Sequence, residues 1–153
     1  MKKILNKPQV TVWGGSGFIG SHVSDILTKK NFRVIIADKV KSKWIRKSQK
    51  MFIGDVTKYS DVEKSLKNSK FVFNFAGIAD IEIANKNLID TINQNILGNA
   101  NILKACNYHN INVFQYNANL GHYLCHPIVS RMEDYLSCNL LVKYLQHLYY
   151  QKR

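Results

Sequence analysis

Residues 10–22 read Val-Thr-Val-Trp-Gly-Gly-Ser-Gly-Phe-Ile-Gly-Ser-His, and this stretch decides the fold. Short apolar residues run into a turn whose glycines have the spacing Gly14-x-x-Gly17-x-x-Gly20. Apolar residues at helical spacing follow at once, so the stretch predicts a strand, a glycine-rich turn and a helix in succession. Gly14 would allow a positive φ, Gly17 would let the backbone approach a phosphate, and Gly20 would let the new helix pack closely. The helix N-terminus would then present free N–H groups and a partial positive charge to a pyrophosphate.

Asp38 lies where such a turn needs an acid. It ends a second apolar stretch, residues 32–37, and follows Gly20 at close to the roughly 20 residues expected for a carboxylate on the adenosine ribose hydroxyls. An acid here favours NAD over NADP because it would repel a 2′-phosphate, although the basic residues that follow weaken that preference. Those residues are Lys39, Lys41 and Lys43. A glycine-rich turn in some other α/β protein is the alternative, against which the matching strand, helix and acid all speak.

Length and composition are those of one globular domain. The chain has 153 residues, of which 46% are hydrophobic, and its formal net charge is +12. Such an excess of positive charge could attract nucleic acid. The lysines are scattered along the chain, however, so we do not expect nucleic acid as a partner.

The sequence also carries expectations about location. No apolar stretch approaches the roughly 18 residues that span a membrane, so we expect no membrane segment. Residues 1–5 begin like an export signal, but Asn6 ends the apolar part, so we expect no export signal. The cysteines are odd in number and include no Cys-x-x-Cys pair, which favours reduced thiols in a cytoplasmic protein. They are Cys106, Cys125 and Cys138.

Strands alternate with helices along the chain. Apolar runs predict strands at 9–13, 32–37, 51–53, 71–76 and 111–116. Helical spacing predicts helices at 18–30, from a capping signal at Ser60 to Leu66, at 86–108 and at 132–150, with 117–130 irregular. Residues 39–50 are basic and irregular, with Trp44 and Ile45 as packing points. The alternation predicts right-handed βαβ units and a parallel sheet in the order 3-2-1-4-5.

The predicted fold is therefore α/β, a Rossmann-like doubly wound parallel sheet that is truncated after about five strands and carries a C-terminal helix. Residues 1–116 are the predicted NAD(P)-binding region. Residues 117–153 are predicted to form a divergent tail with an amphipathic helix, within the same domain.

Four blocks of the sequence together resemble the extended short-chain dehydrogenase/reductase family, the NAD-dependent epimerases and dehydratases that act mostly on nucleotide sugars. The blocks are Gly14–Gly20 with Asp38, Gly54–Thr57, Val72–Gly77 and Asn95–Cys106. They cover about residues 9–116, so the resemblance concerns only the N-terminal, NAD-binding part of that family. It implies NAD as the cofactor, a nucleotide sugar as the substrate class, and a homodimer formed through the helix near 86–108 and the last helix.

The resemblance also implies roles for single residues. Asp55 and Val56 would lie against the adenine, and Ala76 and Gly77 would lie along the pyrophosphate and the nicotinamide. Asn95 would help to shape the active site. Asp55 could instead be a simple helix-leading acid, and Asn95 could be a plain surface amide. The predicted cofactor-binding residues are Gly14, Gly17, Phe18, Ile19, Gly20, Asp38, Asp55, Val56, Ala76, Gly77 and Asn95.

The catalytic pattern of the family is incomplete here. Its chemistry needs a Ser or Thr after strand five and a Tyr-x-x-x-Lys on the next helix, where the Tyr acts as general base and the Lys lowers its pKa. Asn119 stands about where the Ser or Thr is expected, and Tyr135 is followed by Asn139 in place of the Lys. A tyrosine with the ordinary pKa of about 10 is ionised to about one part in a thousand at pH 7. Asn119 and Tyr135 are the candidate catalytic residues, and an ordinary packed aromatic is the alternative for Tyr135.

Agreement with the family ends near Tyr116. The substrate domain of the family lies mostly beyond the matching residues, and strand five would be an open sheet edge. We therefore hypothesise that the chain is a fragment, or that its reading frame shifts after about Tyr116. The downstream coding DNA would test this.

A metal site is not expected. His122, Cys125 and His126 could supply three soft ligands, but zinc usually takes four and no second pair follows at a standard spacing.

Two functions fit the sequence. The first is the NAD-binding portion of a nucleotide-sugar epimerase/dehydratase-like oxidoreductase, truncated or degenerate. The second is a non-catalytic dinucleotide-binding or regulatory protein of the same fold, which the missing Lys and Ser or Thr favour. A basic nucleic-acid-binding module, the third alternative, rests on the net charge alone.

Overall fold

The protein is built on one parallel sheet in the strand order β3-β2-β1-β4-β5. A computed structural model describes residues 7–115. The strands are β1 (Gln9–Trp13), β2 (Arg33–Asp38), β3 (Lys50–Ile53), β4 (Ser69–Asn74) and β5 (Asn112–Gln115). The predicted α/β class and the predicted strand order are confirmed.

Helices lie in the connections from β1 to β2, from β3 to β4 and from β4 to β5. They are α1 (Phe18–Lys29), α2 (Tyr59–Leu66), α3 (Ile81–Lys86), α4 (Leu88–Ile92) and α5 (Gly98–His109). A π-helical segment, Asn93–Leu97, joins α4 to α5, so the predicted helix at 86–108 exists with one widened turn. The short α3 was not predicted, and it begins where the Asp80 carboxylate accepts the backbone N–H of Ile83 at 3.0 Å.

β1 is the central strand, and all five of its residues are buried between β2 and β4. Because both faces of this strand are covered, its polar side chains need partners within the protein. Thr11 Oγ1 donates to the Ser65 carbonyl at 2.9 Å, and Trp13 Nε1 donates to Ser65 Oγ at 3.0 Å. These bonds attach the end of α2 to the central strand.

The hydrophobic core joins the sheet to α2 and α5. Val62 and Leu66 enter it from α2, and Ile102 and Cys106 enter it from α5. Burial raises the pKa of the Cys106 thiol to about 12, so this cysteine stays protonated and acts as a small apolar side chain. The buried face of α5 therefore holds this helix against the sheet.

The predicted start of α2 is wrong. The helix begins at Tyr59 with Lys58 at its N-cap, and no side chain caps its first N–H groups. The expected capping signal at Ser60 does not act as one, because Ser60 is the second residue of the helix and not its N-cap.

The prediction that Trp44 is a packing point is also wrong, because 67% of this residue is exposed. Polar contacts hold the connection between β2 and β3 instead. The Arg46 guanidinium pairs with the Asp25 carboxylate on α1, and Gln49 Nε2 donates to the same carboxylate at 3.1 Å. The backbone of this connection is thereby held without a buried tryptophan.

Two predicted elements, the irregular stretch at 117–130 and the helix at 132–150, lie outside the described residues. Across residues 7–115, every helix is too short or too polar to cross a membrane.

The turn from β1 into α1 leaves no room for a side chain at two of its glycines. Gly14 has a φ of +71°, and a Cβ there would lie 2.5 Å from the carbonyl carbon of Phe75. A Cβ on Gly20, in the first turn of α1, would lie 2.2 Å from the Gly14 carbonyl oxygen. Both positions therefore exclude any side chain, whereas a Cβ on Gly17 would meet only the Gly14 oxygen, at 3.3 Å.

We expect Gly20→Ala to lower the free energy of unfolding by about 3 kcal/mol, although alanine is normally the better helix residue. The cause is the overlap of the new methyl group with the Gly14 carbonyl. Gly17→Ala is the matched control and should cost less than about 1 kcal/mol, because Gly17 is extended, with φ −76° and ψ 175°. Urea unfolding of both variants gives the comparison, and equal losses would contradict the steric account.

Candidate dinucleotide-binding cleft

A cleft of about 290 Å³ opens beyond the carboxyl ends of β1, β2 and β4. In a parallel sheet of this order, the crevice between β1 and β4 is where the strand order reverses and where ligands bind. The lining residues come from the ends of these strands and the loops that follow them, from the turn after β3, from α4 and from the π-helical segment. They are Trp13, Gly14, Gly17, Asp38, Lys39, Val40, Val56, Phe75, Ala76, Gly77, Ile78, Asp90 and Gln94.

The glycine-rich turn places the N-terminus of α1 at this cleft. Gly17 is the N-cap of α1, is exposed, and brings no side chain between the helix and the cleft. Phe18 and Ile19 form the start of the helix and are 59% and 37% exposed. Because the first N–H groups of an α-helix lack intrahelical acceptors, this end of α1 is suited to an anion.

Asp38 faces the cleft from the end of β2. Its Oδ2 accepts the backbone N–H of Ser16 at 3.0 Å, and its Oδ1 accepts the backbone N–H of Val40 at 3.3 Å. Ser16 Oγ also donates to the Val40 carbonyl at 2.7 Å. The carboxylate is thus tied to the glycine-rich turn and held at the cleft, and with about four lone-pair sites it can accept further hydrogen bonds.

Asp55 and Val56 take different positions. The Asp55 carboxylate turns back on its own chain, where Oδ1 accepts the backbone N–H of Thr57 at 2.9 Å and its Oγ1 hydroxyl at 2.8 Å. Burial raises the pKa of Asp55, but the bonds from Thr57 and the nearby ammonium groups of Lys39 and Lys58 outweigh it, so the pKa lies below its ordinary value. Asp55 therefore shapes the turn as a carboxylate, and Val56 is the residue that reaches the cleft.

Asn95 lies behind the loop that follows β4. Its Oδ1 accepts the backbone N–H of Ile78 at 2.8 Å, and its Nδ2 donates to the Ile78 carbonyl at 3.0 Å. A Cβ on Gly77 would lie 2.7 Å from the same Oδ1, so the loop passes very close to this amide. Asn95 holds the Ala76–Ile78 loop in place rather than lining the cleft itself.

The structure brings together six of the predicted cofactor residues in the cleft lining. These are Gly14, Gly17, Asp38, Val56, Ala76 and Gly77. The other predicted residues lie just outside the lining: at the start of α1, in the turn of Asp55, and behind the β4 loop at Asn95.

Asn74 and Asn99 were given no role from the sequence. Both are buried, and the Nδ2 of Asn74 donates to the Oδ1 of Asn99. The signal in the sequence was an asparagine within the apolar run 71–76 and another within the predicted helix 86–108. Residues of this kind need a partner, but the sequence does not say which one.

The predicted catalytic residues Asn119 and Tyr135 lie outside the described residues, and so do His122, Cys125 and His126. Within residues 7–115, no group of three or more His, Cys, Asp or Glu side chains is placed to hold a metal ion.

The described residues fit a dinucleotide. Gly17 leaves backbone space at a helix N-terminus, which suits a pyrophosphate. Asp38 supplies a carboxylate at the end of the neighbouring strand, which suits ribose hydroxyls. Both groups line the same cleft, at the point of the sheet where dinucleotides bind.

Comparisons with known proteins agree with this assignment. The model of the NAD dependent epimerase/dehydratase family matches residues 10–118. Short-chain dehydrogenase/reductase family 42E member 1 of Macaca fascicularis is 34% identical over 68% of this chain and 27% of its own length. UDP-glucose 4-epimerase of Rickettsia bellii is 29% identical over 61% of this chain and 31% of its own length. The chain therefore spans about a third or less of these relatives.

Solved structures give the same picture. The UDP-glucose 4-epimerase of Thermus thermophilus, in complex with NAD, has a TM-score of 0.64 and 27% identity over 67% of this chain and 35% of its own. Pen from Bacillus thuringiensis has a TM-score of 0.67 over 73% of this chain and 37% of its own, and at 21% identity it supports the fold alone.

The family is NAD-dependent, as the glycine spacing and Asp38 predict. With the family model matched over most of the described sheet and helices, the chain belongs to the NAD dependent epimerase/dehydratase family.

Proposed function

We propose that this chain binds NAD in the cleft and is the NAD-binding portion of a nucleotide-sugar epimerase/dehydratase-like oxidoreductase. The supporting observation is that the N-terminus of α1, where Gly17 brings no side chain, and the carboxylate of Asp38 lie at one cleft. An anion-binding helix end beside a ribose-binding acid is what a dinucleotide requires. The NAD complex of the related Thermus thermophilus enzyme supports the same choice.

Each part of the cofactor has a set of residues that would hold it. The pyrophosphate would lie at the N-terminus of α1, and the hydroxyl groups of the adenosine ribose would donate hydrogen bonds to the Asp38 carboxylate. Val56 would lie against the adenine. The loop Ala76–Ile78, on the other side of β1, would lie along the nicotinamide half.

A nucleotide sugar is the proposed substrate class, since UDP-glucose 4-epimerases are among the relatives. Bound NAD supplies a hydride acceptor and donor. Tyr135 is the proposed general base, and Asn119 is proposed to orient the substrate oxygen.

We expect titration of the 153-residue chain with NAD to give saturable binding, tighter than NADP. Asp38→Ala should raise the Kd for NAD by about tenfold, because it removes a charged hydrogen-bond acceptor. Asp25→Ala is the matched control, since Asp25 pairs with Arg46 and does not line the cleft, and its Kd should not change. Isothermal titration calorimetry measures all three proteins. A folded wild type that binds no NAD would overturn the proposal.

A non-catalytic NAD-binding protein is the second candidate function. The observation that favours it is Asn139, which stands where the Tyr-x-x-x-Lys pattern requires a lysine. Without that cation, a tyrosine base would be ionised only to about one part in a thousand at pH 7.

Turnover distinguishes the two functions. If Tyr135 acts as the base, we expect slow epimerisation of UDP-glucose with NAD present, rising about tenfold per pH unit between pH 7 and 9. Tyr135→Phe should abolish the reaction and leave NAD binding unchanged. Product analysis by chromatography provides the measurement. Normal NAD binding without conversion at any pH would favour the non-catalytic function.

A second copy of this chain is the proposed partner. Large apolar residues at helical spacing are exposed along α4, the π-helical segment and α5. They are Ile89, Ile92, Ile96 and Leu103. Exposed apolar residues grouped along one helix are typical of an interaction site, and the family resemblance assigns this helix to a homodimer.

Ile96→Glu should therefore convert a dimer to a monomer, because a carboxylate would be buried in the interface without a partner. Trp44→Glu is the control. Trp44 is also exposed and apolar, but it lies in the connection between β2 and β3, at the opposite edge of the sheet from β5. Size-exclusion chromatography with light scattering gives the masses. A wild-type monomer would refute the dimer.

A further inference from the structure

Two asparagine side chains, Asn74 and Asn99, form a hydrogen-bonded link from the end of β4 to the backbone of the π-helical segment. Asn74 is 1% exposed, and its Nδ2 donates to the Oδ1 of Asn99. The Nδ2 of Asn99 donates in turn to the backbone carbonyl of Asn95 at 2.7 Å. The amide of Asn99 therefore uses its acceptor on the strand and its donor on the helix.

Both ends of this hydrogen-bonded link hold the loop that lines the cleft. Asn74 Oδ1 accepts the backbone N–H of Ala76 at 3.0 Å. Asn95 bonds both the N–H and the carbonyl of Ile78. The loop Ala76–Ile78 is thus fixed at its first and last residues, and Asn99 is the group that connects the two fixed points.

Asn99 acts from outside the cleft. It is 9% exposed and is not a lining residue. It lies just after the widened helical turn, in which the Gly98 N–H donates to the carbonyl of Asn93, five residues earlier. The bond from Asn99 to the Asn95 carbonyl ties the side chain to this turn, and so to the residue that holds Ile78.

We propose that Asn99 is a positioning residue for the nicotinamide half of the cofactor, an inference that rests on the proposed function. Asp38 at the end of β2 and the Ala76–Ile78 loop after β4 lie on opposite sides of β1. A dinucleotide whose pyrophosphate lies at α1 extends toward both. Asn99 therefore sets the affinity for the half that lies along the β4 loop and leaves the AMP half unaffected.

The chain offers a matched control on the same helix. Asn101 is two residues further along α5 and is also 9% exposed. Its Nδ2 donates to the carbonyls of Val56 at 3.0 Å and Thr57 at 2.9 Å, which belong to the turn at the other end of the cleft. Asn101 supports the adenine side as Asn99 supports the nicotinamide side.

The experiment compares the Kd values for NAD and AMP in the full 153-residue chain. Asn99→Leu leaves the buried Asn74 Nδ2 without its acceptor, so we expect about tenfold weaker NAD binding and an AMP affinity within about twofold of wild type. Asn101→Leu should weaken NAD and AMP by the same factor. Asn99→Thr should restore NAD binding, because a hydroxyl can donate to the carbonyl four residues earlier and accept from Asn74.

Thermal unfolding shows that each variant is folded before it is titrated. If Asn99→Leu does not fold, Asn99→Asp takes its place, since it keeps the acceptor for Asn74 and loses the donor to Asn95. Equal weakening of NAD and AMP by the Asn99 variants, or none, overturns the positioning role while wild-type NAD binding stands. A folded wild type that binds neither ligand overturns the proposed function and this inference with it.

Discussion

The close approach of Gly20 to the Gly14 carbonyl is the constraint on which the site depends. A Cβ at Gly20 would lie 2.2 Å from that oxygen, so the first turn of α1 can pack against the turn after β1 only because the position has no side chain. This contact fixes the direction of α1 and places its N-terminus over the crevice between β1 and β4. A methyl group at Gly20 would displace α1, and the first N–H groups of the helix would then no longer lie at the cleft.

α5 is the second support, and it serves both ends of the cleft. Its buried apolar face, with Ile102 and Cys106, holds it against the sheet. Two buried amides on this helix hold the loops at the cleft. Asn99 is hydrogen-bonded to Asn74, which precedes the β4 loop, and Asn101 is hydrogen-bonded to the turn after β3. Because an unpaired buried amide is costly, each amide holds its loop firmly. The side chains that pack the core and the amides that hold the cleft loops therefore lie on the same helix.

Local signals in the sequence predicted much of this arrangement. The strand order follows from the alternation of strands and helices, because right-handed crossovers leave few ways to arrange five parallel strands. The glycine spacing and Asp38 could be recognised because their geometry depends on the chain immediately around them. The start of α2 and the packing role of Trp44 were predicted wrongly, since α2 begins at Tyr59 and Trp44 is exposed. Local patterns do not decide which residue lies at a helix N-cap or which aromatic side chain is covered by other segments.

What the sequence determined by itself was the class of sheet, the glycine-rich turn and the acid at the end of β2, since each depends on local backbone geometry and on periodicity. Only the tertiary structure decided which asparagines join one another. Asn74 and Asn99 are 25 residues apart, and Asn101 and Val56 are 45 apart. A local sequence pattern cannot predict a hydrogen-bond partner at that separation. The packing of α5 on the sheet decides it, because this packing brings the buried amides within hydrogen-bonding distance of the loops they hold.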